Sequence, residues 1–149
     1  MQRRSFLQGL LSAIACLPLQ AWAAIWNKSA FDATQLSAAE KALEINSGVV
    51  SSDIPAGNIV IIAPDFAENG AVVQVEITSL IKNTEAIAIL VEKNPTPLIM
   101  NMLFAKGVKP KVVTRIKMAE SSLLVVIVKS GNQYFKASRH IEVNIGGCG

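Results

Sequence analysis

The chain is 149 residues long, with 51% hydrophobic and 17% charged residues, a single histidine, two cysteines and a formal net charge of +3. That length and apolar content suit one domain with a real core. One histidine excludes multi-histidine metal sites, and the chain holds no internal repeat, glycine-rich phosphate loop, Cys-x-x-Cys-His haem motif or Ser-His-Asp set with residues to spare.

The chain begins with Arg3-Arg4 before Phe6-Leu7, an apolar stretch from Gly9 to Leu19, and Ala21-Trp22-Ala23. A charged start, a short hydrophobic region and a small-x-small cleavage site mark residues 1–23 as a removable export signal, and the paired arginines resemble the twin-arginine type, which places the mature protein in the periplasm with no membrane attachment. A lipoprotein signal ending at Cys16 is the competing reading; it would leave the downstream Ala-x-Ala without purpose. Cleavage after Ala23 removes Arg3, Arg4 and Cys16, leaving twelve basic against eleven acidic residues, a net +1, and one cysteine, Cys148. A nearly neutral mature chain argues against nucleic acid as a partner. An odd cysteine in an oxidising compartment either pairs with another molecule or remains a working thiol.

Residues 24–145 form the expected domain. Ser37-Ala38-Ala39-Glu40 has the pattern of a capping box and predicts a helix carrying Leu43 on one face and stopping around Asn46-Ser47-Gly48, with Ser29 to Phe31 as a separate turn or an extension. This helical part is expected to be a small N-terminal appendage. Beyond Gly48 short β-branched runs follow at residues 58–63, 71–79, 86–92, 98–104, 111–118, 123–129, 133–137 and 140–145, with turn formers between them such as Glu68-Asn69-Gly70, Asn94-Pro95-Thr96-Pro97 and Gly131-Asn132. Val73, Val75 and Ile77 alternate with Gln74, Glu76 and Thr78, and Ile141, Val143 and Ile145 with His140, Glu142 and Asn144. The fold class expected is mainly β: an immunoglobulin-like antiparallel sandwich with a short N-terminal helix and a flexible C-terminal tail.

That tail, residues 146–149, reads Gly146-Gly147-Cys148-Gly149. Glycines without Cβ atoms make a slim, mobile arm, so the thiol has reach rather than a packed environment. The alternative is a tail cysteine that forms an intermolecular disulfide in a non-catalytic interaction module. A thiol enzyme would need a base or an anion pocket beside Cys148, and the tail supplies neither. His140, alternating away from the apolar residues of its strand, reads as a solvated position. Lys106, Lys109, Lys111, Arg115 and Lys117 read as a solvated face, or as a surface attracting an anionic substrate or an acidic partner.

The glycine-flanked terminal cysteine on a Val-x-Ile strand resembles the ending of the SoxY family, sulfur carrier subunits of the Sox thiosulfate-oxidation system. Residues Ala63 to Gly70, Asn94 to Pro97 and Thr114 to Met118, in that order, are similar to landmarks of the same family. The resemblance implies a carrier rather than an enzyme, with no cofactor or metal of its own. It implies that Cys148 is joined to thiosulfate by a haem-bearing partner, that a manganese-dependent hydrolase releases sulfate, and that Gly146, Gly147 and Gly149 give the arm its freedom. It also implies a heterodimer with a SoxZ-like small β-sandwich subunit. Relative to the usual family ending this chain stops one glycine short, which is expected to set the terminal carboxylate nearer the sulfur and to repel an anionic substrate slightly.

Overall fold

The computed structural model describes residues 27–43, 49–50 and 57–144. Among the described residues two short helices, α1 (Lys28–Asp32) and α2 (Leu36–Ala42), precede nine strands: β1 (Val49–Val50), β2 (Ile59–Ile62), β3 (Phe66–Ala67), β4 (Val73–Ser79), β5 (Ala86–Val91), β6 (Leu98–Leu103), β7 (Lys111–Ile116), β8 (Ser122–Ser130) and β9 (Gln133–Val143). The larger sheet runs β1-β9-β8-β5-β6 with β3 also on β9, and the smaller runs β2-β4-β7.

The expected alternation places these sheets face to face. Val73, Val75 and Ile77 of β4 and Val112 and Ile116 of β7 turn inward against Ile87, Ile89 and Val91 of β5, Leu124, Val126 and Val128 of β8, and Ile141 and Val143 of β9. The result is a two-sheet β protein of the kind expected, with two differences in pairing. β1 and β3 are short, escaped the sequence reading as strands, and both run parallel to β9. Neither is long enough for a period-two signal, so β-propensity alone could not reveal them. The runs expected at 133–137 and 140–145 are one strand: Ser138 and Arg139 continue the ladder opposite Val125 and Leu124. The two-residue turn before it is closed by Gly131 at φ +57°, where a side chain would be strained.

The helices are not an appendage. Every residue of β5 is buried, and β8 is buried on both faces over most of its length. An antiparallel strand buried on one face only would alternate, so a continuous apolar run requires a cover on each side. Ala30 and Ala39, both fully buried, supply it, packing with Leu36 and Leu43 against Ala88, Leu90, Val125 and Ile127. The molecule therefore has three layers: helices, large sheet, small sheet.

The helix boundaries also differ from expectation. α2 starts at Leu36 with Gln35 as its N-cap and no side-chain cap, and it ends at Ala42, so Ser37 lies inside the first turn and no capping box forms. Glu40 instead reaches Lys136 of β9 at 2.7 Å, an ion pair that docks the helix on the sheet. Leu36, Ala39 and Leu43 then share the face turned to the sheet, as their spacing of three and four residues allows. Asn46, Ser47 and Gly48, where the helix was expected to stop, lie outside the described residues. α1 is a separate helix, capped by Asn27, whose side chain accepts from the Ala30 amide at 3.1 Å and donates to the Ala42 carbonyl, tying the two helices together. Leu90→Ala, which empties the helix-facing side of β5, should cost about 2–5 kcal/mol in urea unfolding. A cost under about 1 kcal/mol would mean that the helical layer does not close over the sheet.

Candidate functional site: the end of the sandwich from which the tail departs

Cys148, Gly146, Gly147 and Gly149, the residues singled out in the sequence, lie outside the described residues, as do Ile145 and residues 1–23, where the sequence led to the expectation of an export signal. What the structure defines is the base from which the tail leaves, and this base is unusually well fastened. Four residue steps separate Asn144 from Cys148.

β9 ends between two supports. On one edge the Val143 amide donates to the Ser121 hydroxyl at 2.8 Å, and the same hydroxyl donates to the Val143 carbonyl at 3.3 Å. On the other edge the segment around β3 lies alongside. The Glu142 amide donates to the Asp65 carbonyl and the Asn144 amide to the Ala67 carbonyl, each at 2.9 Å. Arg139 binds the strap to the small sheet, donating to the Ile61 carbonyl at 3.3 Å and to Asp65 Oδ1 at 2.7 Å. Without these bonds the last residues of a strand fray.

The strap turns sharply inward after Ala67. A Cβ on Gly70 would stand 2.4 Å from the Met118 carbonyl oxygen and 2.6 Å from Val143 Cγ1, so only glycine fits between them. The Met118 amide in turn donates to the Gly70 carbonyl at 2.7 Å. Asn94, 9% exposed, holds the segment on either side of Met118: Nδ2 donates to the Lys117 carbonyl at 2.7 Å, and Oδ1 accepts from the Ala119 amide at 2.8 Å.

The three separate segments noted in the sequence thus meet in space. Residues 63–70 supply the strap, Asn94 the staple and residues 117–118 the segment that both of them grip. Ser121 was missed, because a hydroxyl that satisfies a strand terminus carries no signal in the sequence. Ser121→Ala leaves the Val143 amide without its partner, which should cost about 1–3 kcal/mol and accelerate amide exchange at Val143. Unchanged protection at Val143 would show that β3 alone holds the strand end.

The other sequence candidates lie elsewhere. His140 is exposed, as its place in the alternation implied. Lys106, Lys109, Lys111, Arg115 and Lys117 are exposed as well, and Lys111 pairs with Glu76 at 2.6 Å. Arg115, with Gln74, Val113 and Thr114, borders a shallow depression on the outer face of the small sheet. Among the described residues no group of His, Cys, Asp and Glu is placed to hold a metal ion, and no helix is long and apolar enough to cross a membrane.

Comparison with known proteins bears on this end of the molecule directly. The family described as sulfur oxidation protein SoxY matches residues 47–148, a span that takes in the strap, Asn94, β9 and the cysteine. The solved structure of the sulfur carrier protein SoxY from Chlorobium limicola f thiosulfatophilum is 32% identical, covers 70% of this chain and 93% of its own, and superposes with a TM-score of 0.61. A superoxide reductase (neelaredoxin) from Ignicoccus hospitalis reaches a TM-score of 0.52 at 16% identity over 74% of this chain and 93% of its own, a likeness of fold alone. No curated protein matches the chain.

Proposed function

Because this chain belongs to the SoxY family of sulfur oxidation proteins, we propose that it is a periplasmic sulfur carrier which holds thiosulfate-derived intermediates covalently on Cys148. The observation that carries this reading is the placing of a glycine-flanked cysteine five residues beyond a strand end that is fastened on both edges. A carrier needs a reactive group with reach and a firm body from which it reaches. Gly146, Gly147 and Gly149 present little bulk to a narrow channel, and the strap, staple and Ser121 fix the point of departure.

The chemistry suits a thiolate. Loading joins the Cys148 sulfur to the outer sulfur of thiosulfate: the thiol and the thiosulfate dianion give a cysteine S-thiosulfonate, one proton and two electrons, and a haem-bearing partner accepts the electrons. Water then attacks the terminal sulfonate in a manganese-dependent hydrolase, which yields sulfate, two protons and a cysteine persulfide anion. Cys148 contributes nucleophilicity and a sulfur–sulfur bond that forms and breaks without a cofactor in this chain. A small β-sandwich subunit of the SoxZ kind is the expected companion, and export through the twin-arginine route, which moves folded cargo, would carry both chains on one signal.

Intact-mass analysis of the protein purified from its native periplasm tests the proposal. Adducts corresponding to thiosulfonate or persulfide are expected. A homogeneous disulfide dimer through Cys148 would favour the non-catalytic module instead, and turnover of thiosulfate by the purified chain alone would make it an enzyme.

A further inference from the structure

The reach of the arm determines which surface its partners touch. Four residue steps carry the Cys148 backbone at most about 14 Å from Asn144. Any enzyme that encloses the thiol must therefore bring the mouth of its pocket against the residues around the end of β9. Two large apolar side chains stand exposed there. Phe66, opposite Glu142 in the parallel pairing of β3 with β9, is 54% exposed, and Val72, two residues beyond the tightly packed Gly70, is 56% exposed.

Most carboxylates at this end are also unlike those elsewhere. Asp32, Glu40, Asp65, Glu76 and Glu85 each pair with a lysine or arginine. The remaining carboxylates among the described residues, Glu68, Glu92, Glu120 and Glu142, have no ion-pair partner there, and all of them belong to the tail end of the large sheet. Glu142 lies on β9, Glu68 follows β3, Glu120 immediately precedes Ser121, and the Glu92 amide donates to the Leu123 carbonyl at 3.0 Å. The cations of this end are Arg139 of β9, already committed to Asp65 and the Ile61 carbonyl, Lys93 in the turn after β5, and Arg115 and Lys117 on and after β7.

We infer that Phe66 and Val72, with the carboxylate lip Glu68, Glu120 and Glu142, form the docking surface for the rim of an enzyme whose pocket mouth is basic. The inference rests on the carrier reading above. An S-thiosulfonate is an anion, so a pocket that takes it must present cations, and those cations extend naturally to a rim that meets the lip. The lip has the same sign as the cargo. It turns the loaded arm away from the carrier body and repels free thiosulfate dianion from it. The occupant is the sulfate-releasing hydrolase, because it takes the arm already loaded.

The test uses the exported protein with Cys148 loaded chemically: its thiolate displaces thiosulfate from tetrathionate and is left as the S-thiosulfonate, which peptide mass mapping verifies. Initial rates of sulfate release by the hydrolase are then read against carrier concentration and salt. Glu68→Lys, Glu120→Lys and Glu142→Lys combined should lower kcat/KM by about 10- to 100-fold at low ionic strength with kcat retained, and the difference from wild type should shrink as salt rises. Phe66→Ala should lower kcat/KM by about tenfold without the salt dependence. Glu85→Lys, at the opposite end of β5, should change neither, and circular dichroism verifies that each variant is folded. Equal kcat/KM for the wild type and the folded lip variants, with wild type turned over, would overturn the docking surface and leave the carrier reading standing. Loaded wild type that the hydrolase does not turn over would overturn both.

Discussion

Cys148→Ser is expected to reduce thiosulfate-dependent turnover in a reconstituted system to background, a loss of at least about 10³-fold, while melting and partner binding stay as in wild type. A serine hydroxyl is almost wholly protonated near neutral pH and cannot form a sulfur–sulfur bond, so neither loading nor release has an atom to proceed on. Stability should not change, because the sandwich core is built from residues 67 to 143 and the helix-facing cluster from residues 30 to 127. Retained turnover in the serine variant would remove Cys148 from the chemistry. A lower melting temperature would show instead that the cysteine supports the fold.

The largest effect expected on the fold comes from Gly70→Val. The collision would be with the Met118 carbonyl oxygen, a backbone atom already committed to its segment by the bonds from Asn94, and with Val143 Cγ1 inside the core. Neither can move without opening the seam that holds β9, so the substitution should cost about 3 kcal/mol or more, which is on the order of 10 °C in Tm for a domain of this size. Gly70→Ala meets the same two atoms with less bulk and should fall between this variant and wild type. Since the strap and the end of β9 separate together, amide exchange at Glu142 and Asn144 should accelerate more than at Ile89, in the centre of β5. An unchanged Tm would mean that the strap swings aside, and the rigid departure point would then lose its support.

Much of the sandwich was legible because period-two alternation in β4 and β9 depends on one buried and one solvated face. The same logic, followed strictly, explains what was missed. Residues 86–91 and 122–128 do not alternate, and a run such as Ala-Ile-Ala-Ile-Leu-Val in an antiparallel sheet already asks for a cover on its second face; the helices answer it. The sequence did mark residues 37–40 as helical, but capping-box chemistry lost to tertiary contacts. Glu40 is drawn to Lys136, and the face Leu36, Ala39 and Leu43 is set by the sheet beneath. For the candidate site, the cysteine and its glycines stood out from residue chemistry alone. The fastening did not, because it is made by pairs far apart in the chain: Asn94 with Lys117 and Ala119, Gly70 with Met118, and Ser121 with Val143. Resemblance pointed to those segments before geometry gave their purpose.

The central claim, that sulfur travels on Cys148, is tested most directly by isotopic thiosulfate and peptide mass mapping. The carrier is incubated with the conjugating enzyme and the hydrolase, using thiosulfate labelled either in its outer sulfur or in its sulfonate sulfur. The account predicts that the outer label remains on the Cys148 peptide as a persulfide after sulfate is released, and that the sulfonate label leaves as sulfate. Labelled sulfate released while the Cys148 peptide never acquires the outer label would contradict it.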